Sequence, residues 1–74
     1  MNATAETIGI TLNERPHLVA APATLQGLLS LDGLAERKGI AAAVNGEVVP
    51  RAAWASRALA QGDRVLVIRA TQGG

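Results

Sequence analysis

The sequence predicts an α+β domain: a four- or five-stranded mixed sheet with one main helix packed on one face. Three observations carry that prediction. Ile8, Ile10 and Leu12 alternate with Gly9 and Thr11, the period of two that marks a half-buried strand. Asn45-Gly46 stands between two short apolar runs, and both residues tolerate the positive φ of a tight hairpin turn. Leu25, Leu28 and Leu29 repeat at helical spacing, and this lone Leu-rich stripe needs a sheet to cover.

The elements follow in order. After the first strand, Asn13-Glu14-Arg15-Pro16 is turn chemistry, and His17 to Ala20 can return as the second strand of a hairpin. Pro22 ends it. Thr24 is placed to cap a helix, because its hydroxyl can accept from the free amides of the first turn. That helix runs to Leu31, and Gly27 and Gly33 each weaken it by about 1 kcal/mol relative to Ala. Leu34 to Lys38 is read as a final turn before Gly39. Ile40 to Val44 has strand length, and Val48 and Val49 complete the Asn45-Gly46 hairpin until Pro50 stops it. Arg51 to Ala60 suggests one or two loose helical turns, with Trp54 folded over the edge of the core. Gln61-Gly62-Asp63 is a turn. Arg64 and Arg69 bracket Val65 to Ile68, the clearest strand in the chain. The expected core sets Leu25, Leu28 and Leu29 against Ile8, Ile10, Val65 and Val67.

Seventy-four residues leave room for one domain. Residues 1–69 form it, with 1–7 a loose N-terminal extension, and 70–74 are expected to be a flexible C-terminal tail. Of the 49% hydrophobic residues, 15 are Ala and Trp54 is the only aromatic, so the core is built mainly from Ile, Leu and Val. So small a core argues against an enzyme with a deep, water-excluding pocket. A net charge of +1 with scattered basic residues and no stacking aromatics argues against nucleic-acid binding. With no Cys, thiolate metal sites and a cysteine nucleophile are excluded, and His17 alone cannot build a histidine metal site. No apolar run approaches a membrane span and residues 1–6 do not read as a signal peptide, so the expectation is a cytoplasmic protein without a membrane partner.

Candidate chemistry sits at Gly73-Gly74. The residues alone leave two readings open. One is a frayed terminus; the other is a tail whose last carboxylate is the working atom. Without a Cβ, two glycines let an extended backbone enter a narrow tunnel. A terminal carboxylate is anionic at neutral pH and a poor acyl electrophile, so it must be activated, for example as an acyl-adenylate. The sequence holds no Walker loop and no metal carboxylate cluster, so activation falls to another protein. Sulfur carried by this chain cannot ride as a persulfide without Cys, and would ride on the carboxyl carbon instead. Arg51 is either a docking contact or a solvated arginine, His17 is a surface residue, and Asp63 serves its turn. Along the last strand, Val65 and Val67 cannot share a face with Leu66 and Ile68. If the helix covers the first pair, the second forms an exposed apolar patch leading toward the tail.

Asn45-Gly46, Val48-Val49-Pro50-Arg51, Trp54, Gln61-Gly62-Asp63, the Val65 to Ile68 strand and Gly73-Gly74 together resemble the sulfur carrier proteins of thiamine biosynthesis. The likeness covers about Ile8 to Gly74 and is strongest from Val44 onward. It implies the ubiquitin-like β-grasp fold. It also implies that a ubiquitin-activating-type enzyme uses ATP, which this chain does not itself bind, to adenylate Gly74. A sulfur-donating enzyme then installs a thiocarboxylate, and thiazole synthase receives the sulfur. On this resemblance Gln72, Gly73 and Gly74 enter the partner site, while Leu66, Ile68 and Arg51 dock outside it. The Pro-Arg-x-x-Trp stretch favours the thiamine branch over the molybdopterin synthase small subunit, which shares the fold and the Gly-Gly end. The N-terminal extension, Gly27 and Gly33 depart from the family pattern. Other sulfur pathways, a protein modifier joined to lysine, and an interaction domain with an incidental Gly-Gly end are the alternatives.

Overall fold

A computed structural model describes residues 6–31 and 33–69. Its first hairpin joins Glu6–Leu12 (β1) to Arg15–Ala21 (β2) in an antiparallel register that runs from Glu6↔Ala21 to Leu12↔Arg15. The turn is shorter than its composition suggests. Only Asn13 and Glu14 are outside the ladder, with φ of 51° and 70°, the left-handed pair that matches strand twist in a two-residue hairpin. The strand also starts earlier than Ile8. Glu6 and Thr7 pair with Ala21 and Ala20, so they belong to β1 and not to a loose extension, because β2 is long enough to give their amides partners.

Ala23–Thr24 (β3) then leads directly into the helix Leu25–Leu31 (α1). The Thr24 Oγ1 accepts the Gly27 N–H at 3.1 Å, which is the expected cap. The Leu25 N–H donates to Arg57 O at 2.9 Å, tying the start of the helix to a later segment. Gly33, at φ 72°, ends any continuation. The turn read at Leu34 to Lys38 is a separate 3-10 turn, Leu34–Glu36, rather than the last turn of α1.

Ile40–Val44 (β4) and Glu47–Val49 (β5) form the second hairpin about Asn45 and Gly46, with φ of 54° and 85°. A 3-10 helix, Arg51–Ser56, follows Pro50, then Ala58–Leu59 (β6) and Arg64–Arg69 (β7). β6 pairs with β3 in a two-stranded ribbon that two-residue strands could not announce by periodicity. The main sheet has the order β2-β1-β7-β4-β5, with β1 and β7 parallel and the remaining pairs antiparallel. This mixed five-stranded sheet gripping one helix is the β-grasp architecture.

One face of the sheet is dry. Leu25, Leu28 and Leu29 of α1 join a buried cluster with Ile10, Leu12, Val19, Val44 and Val65, and Ile8 and Val67 pack half-buried against it. Trp54 lies within this cluster, not at its rim: it is 1% exposed and its Nε1–H donates to Val49 O at 2.8 Å. A lone aromatic in an Ala-rich chain is the largest apolar surface available, and burial with a satisfied N–H is its lowest-energy place.

Candidate functional site at the end of the central strand

β7 is the middle strand of the sheet, and Gly73-Gly74 follow it in the sequence. It pairs with all five residues of β4, from Val44↔Val65 to Ile40↔Arg69. Its pairing with β1 stops at Leu12↔Val65. Where β1 turns away, the Asn13 side chain substitutes for it: Asn13 Oδ1 accepts the Val67 N–H at 2.8 Å. The start of β7 is fixed as firmly. Asn45 Oδ1 accepts the Arg64 N–H at 2.9 Å, and Asn45 Nδ2 donates to Asp63 Oδ1 at 3.0 Å. Asp63 Oδ2 also accepts the Ala60 N–H at 2.8 Å, so Asp63 does serve its turn, and it ties that turn to the β4–β5 hairpin as well. Gln61 performs the matching task for β1, its Oε1 accepting the Gly9 N–H at 2.8 Å. A Cβ on Gly9 would stand 3.4 Å from the Gln61 amide, so glycine there leaves the side chain room to lie flat.

The face of β7 away from the helix carries Leu66 and Ile68. Ile68 is 61% exposed and Leu66 is half-buried, so the expected patch exists with Ile68 as its prominent member. Its prominence has a local cause. The neighbours across the ladder are Ala41 beside Ile68 and Ala43 beside Leu66, too small to shield them, with exposed Val48 beyond Ala43. Arg69 lies opposite Ile40, so the exposed Arg69 ends β7 at the end of the sheet where exposed Arg37 and Lys38 lead into β4. Arg69 is remote from Arg37 and Lys38 in sequence, and the β4–β7 register brings them to the same end of the sheet.

Arg51 is exposed, yet it is not simply solvated. Its guanidinium donates to the carbonyls of Ala35 and Arg37 and lies over the Trp54 ring, 4.4 Å from the centroid. The 3-10 helix has three residues per turn, which brings positions 51 and 54 onto one side. Arg51 is therefore a clamp on the helix side of the sheet, apart from Leu66 and Ile68 and not simply solvated. His17 is exposed, as expected. Gln72, Gly73 and Gly74 lie outside the described residues. Among the described residues no group of three His, Cys, Asp or Glu is placed to hold a metal ion, and no helix is long and apolar enough to cross a membrane.

The family model described as the ThiS family matches residues 2–74, the whole of the domain and the Gly-Gly end. The chain belongs to the ThiS family. Among solved structures, the crystal structure of a thiamine biosynthesis protein (ThiS) from Geobacter metallireducens is similar at 29% identity and a TM-score of 0.77. The alignment covers 90% of this chain and 100% of that one. An NMR solution structure of a thiamine biosynthesis protein from Geobacter metallireducens gives 29% identity and a TM-score of 0.72, over 90% of this chain and 88% of that one. No curated protein sequence matches significantly. In this family member the Pro-Arg-x-x-Trp stretch has a structural reason: Pro50 follows the end of β5, Arg51 clamps two carbonyls, and Trp54 fills the core.

Proposed function

We propose that this protein is a sulfur carrier of thiamine biosynthesis, a co-substrate rather than an enzyme, whose Gly74 carboxyl is the reacting group. The observation that carries the reading is the family match running through Gly73-Gly74, on a fold whose central strand leads into those residues. An adenylating enzyme of the ubiquitin-activating type supplies the ATP site. The Gly74 carboxylate attacks the α-phosphate and pyrophosphate leaves. Sulfur at the sulfide level, supplied by a sulfur-donating enzyme, then attacks the acyl carbon of the acyl-adenylate, AMP departs, and a thiocarboxylate remains. Thiazole synthase takes that sulfur.

The division of labour follows from geometry. Residues 70–74 can span at most about 17 Å, enough to reach into a partner's pocket while the sheet docks outside. Leu66 and Ile68 on the open face supply apolar contact, and Arg37, Lys38 and Arg69 favour an acidic rim on the partner. The tail, Gln72 to Gly74, then needs to deliver only the acyl carbon, held in orientation by the partner's pocket. No cofactor is assigned to this chain. The test is intact mass after incubation with ATP, a cognate activating enzyme and a sulfur source. The expected product gains the mass of one oxygen exchanged for sulfur, located at Gly74. Unchanged mass with a demonstrably active enzyme would overturn the reading, and a product joined to lysine would replace it with protein modification.

A further inference from the structure

The sheet has two free edges, and they are unequal. β5 is three residues long, whereas β2 has seven and no described strand lies beyond it. The outward groups of β2 can be read from β1. Gly9 N–H and C=O bond to Gln61 Oε1 and Gly62 N–H, Thr11 N–H to Asp63 O, and Asn13 N–H to Val65 O. The odd residues of β1 thus point toward β7, and Ile8, Ile10 and Leu12 point toward Val19, His17 and Arg15 of β2. Alternation turns the other β2 residues outward. The N–H groups of Leu18 and Ala20 and the C=O groups of Pro16, Leu18 and Ala20 therefore face away from the sheet. Apolar surface flanks this row on both sides. Leu18 is 78% exposed on the open face and Leu31 is 75% exposed on α1. Between strand and helix runs a groove of about 390 Å³, lined by Val19, Ala20, Ala23, Leu28 and Leu31, and none of its described lining residues is charged.

We infer that this edge docks a second copy of the chain, β2 against β2, antiparallel and centred on Leu18. In that register Leu18 faces Leu18 and exchanges two hydrogen bonds. Each Ala20 N–H meets the Pro16 carbonyl of the other copy, giving two more. A proline on an edge usually blocks pairing because it has no N–H to donate. Here Pro16 need only accept. Charge fixes the same register. Glu6 lies beside Ala21, and Ala21 would lie beside Arg15 of the second copy, on one face. Two strand spacings, about 9.6 Å, separate Glu6 from that Arg15, with only a small Ala between, so the two long side chains can meet. Symmetry makes the pair twice. A slip of two residues would put His17 in place of Arg15.

The dimer is a ten-stranded sheet with a two-fold axis normal to it. β2 is two strands from β7, so Leu66, Ile68 and the strand ends stay uncovered, and the two β7 strands finish at opposite ends. The inference does not depend on the sulfur chemistry. Light scattering on the full chain, from low micromolar to millimolar, should show a reversible monomer–dimer equilibrium. The chain has no Cys, so Leu18→Cys offers a single reporter thiol. Residues facing each other in a bonded pair have Cα atoms about 5.5 Å apart, within disulfide range, so mild oxidation should cross-link this variant quickly. Val48→Cys, 71% exposed on the other edge, is the control and should cross-link slowly. Arg15→Glu or Glu6→Arg should weaken the dimer about tenfold, and the two together should restore it. Glu6, Arg15, Leu18 and Val48 are all exposed, so circular dichroism should show each variant folded. A chain that stays monomeric at millimolar concentration overturns the inference. So does Leu18→Cys cross-linking no faster than Val48→Cys, or a double reversal as weak as the singles.

Discussion

The two faces of the central sheet are made by the same strands and have opposite fates. On β7, Val65 is fully buried beneath the helix side, while Ile68, three residues on, is 61% exposed on the other. On β4, Ala42 and Val44 belong to the core, whereas Ala41 is exposed and Ala43 half-buried. The cause is arithmetic. α1 is seven residues long and, with the 3-10 helix Arg51–Ser56, covers one face; nothing described covers the other. The difference separates stability from recognition. Apolar burial accumulates on the helix face, so a substitution there changes folding. The open face contributes little to folding, so a substitution there leaves the core intact.

The largest effects should therefore come from the helix face. Trp54→Ala removes the largest buried side chain and leaves the Val49 carbonyl without its donor. It should cost about 3–5 kcal/mol, a large part of the stability available to a small domain. Leu28→Ala, on the buried side of α1, should cost about 2–5 kcal/mol. Denaturant titration followed by circular dichroism measures both. An unchanged midpoint for Leu28→Ala would break the assignment of stability to this face.

Arg51 sharpens the comparison because its charge suggests recognition while its contacts belong to the helix side. Arg51→Ala loses two bonds to carbonyls and the stack on Trp54, which should cost about 1–3 kcal/mol. Arg51→Lys should recover little of it, since an ammonium cannot span both carbonyls from above the ring. The expected signature is lower thermal stability, with the mass gain at Gly74 retained in the folded fraction. Loss of loading at full stability would place Arg51 in the docking surface as well.

Much of this division is legible in the sequence. Ile8, Ile10 and Leu12 declare their strand by alternation, Asn45-Gly46 declares its turn, and Thr24 with Leu25, Leu28 and Leu29 declares the helix and its buried stripe. Separating Val65 and Val67 from Leu66 and Ile68 needs only the pleat. What stays hidden depends on contacts between distant residues. Asn13 extending the β7 ladder, Gln61 holding Gly9, and Arg51 reaching Ala35 and Arg37 each link segments that only the folded register brings together. The β3–β6 ribbon is too short to show a period. The depth of Trp54 is hidden too, because one aromatic among alanines gives no helical stripe to orient it.

The smallest effect on stability should be the most informative about function. Ile68 projects from the open face beside Ala41, so Ile68→Asp buries no charge and breaks no contact in the core. Its cost to folding should stay within about 0.5 kcal/mol. Leu66→Asp is the harsher variant, because Leu66 is half-buried and its carboxylate would be partly desolvated. If the open face docks the activating enzyme, Ile68→Asp should weaken that association about tenfold, by placing an unpaired charge in an apolar contact. Titration calorimetry with the enzyme reads the affinity, and intact mass reads loading at Gly74. Loading should be slow at low enzyme concentration and recover at high concentration, because the reacting carboxyl itself is unchanged. Arg69→Ala, at the strand end, should weaken docking less and mainly at low salt, as a rim charge does. A folded Ile68→Asp protein that binds the enzyme normally would show that the open face is not the docking surface, and would move recognition to the tail and to the cations around it.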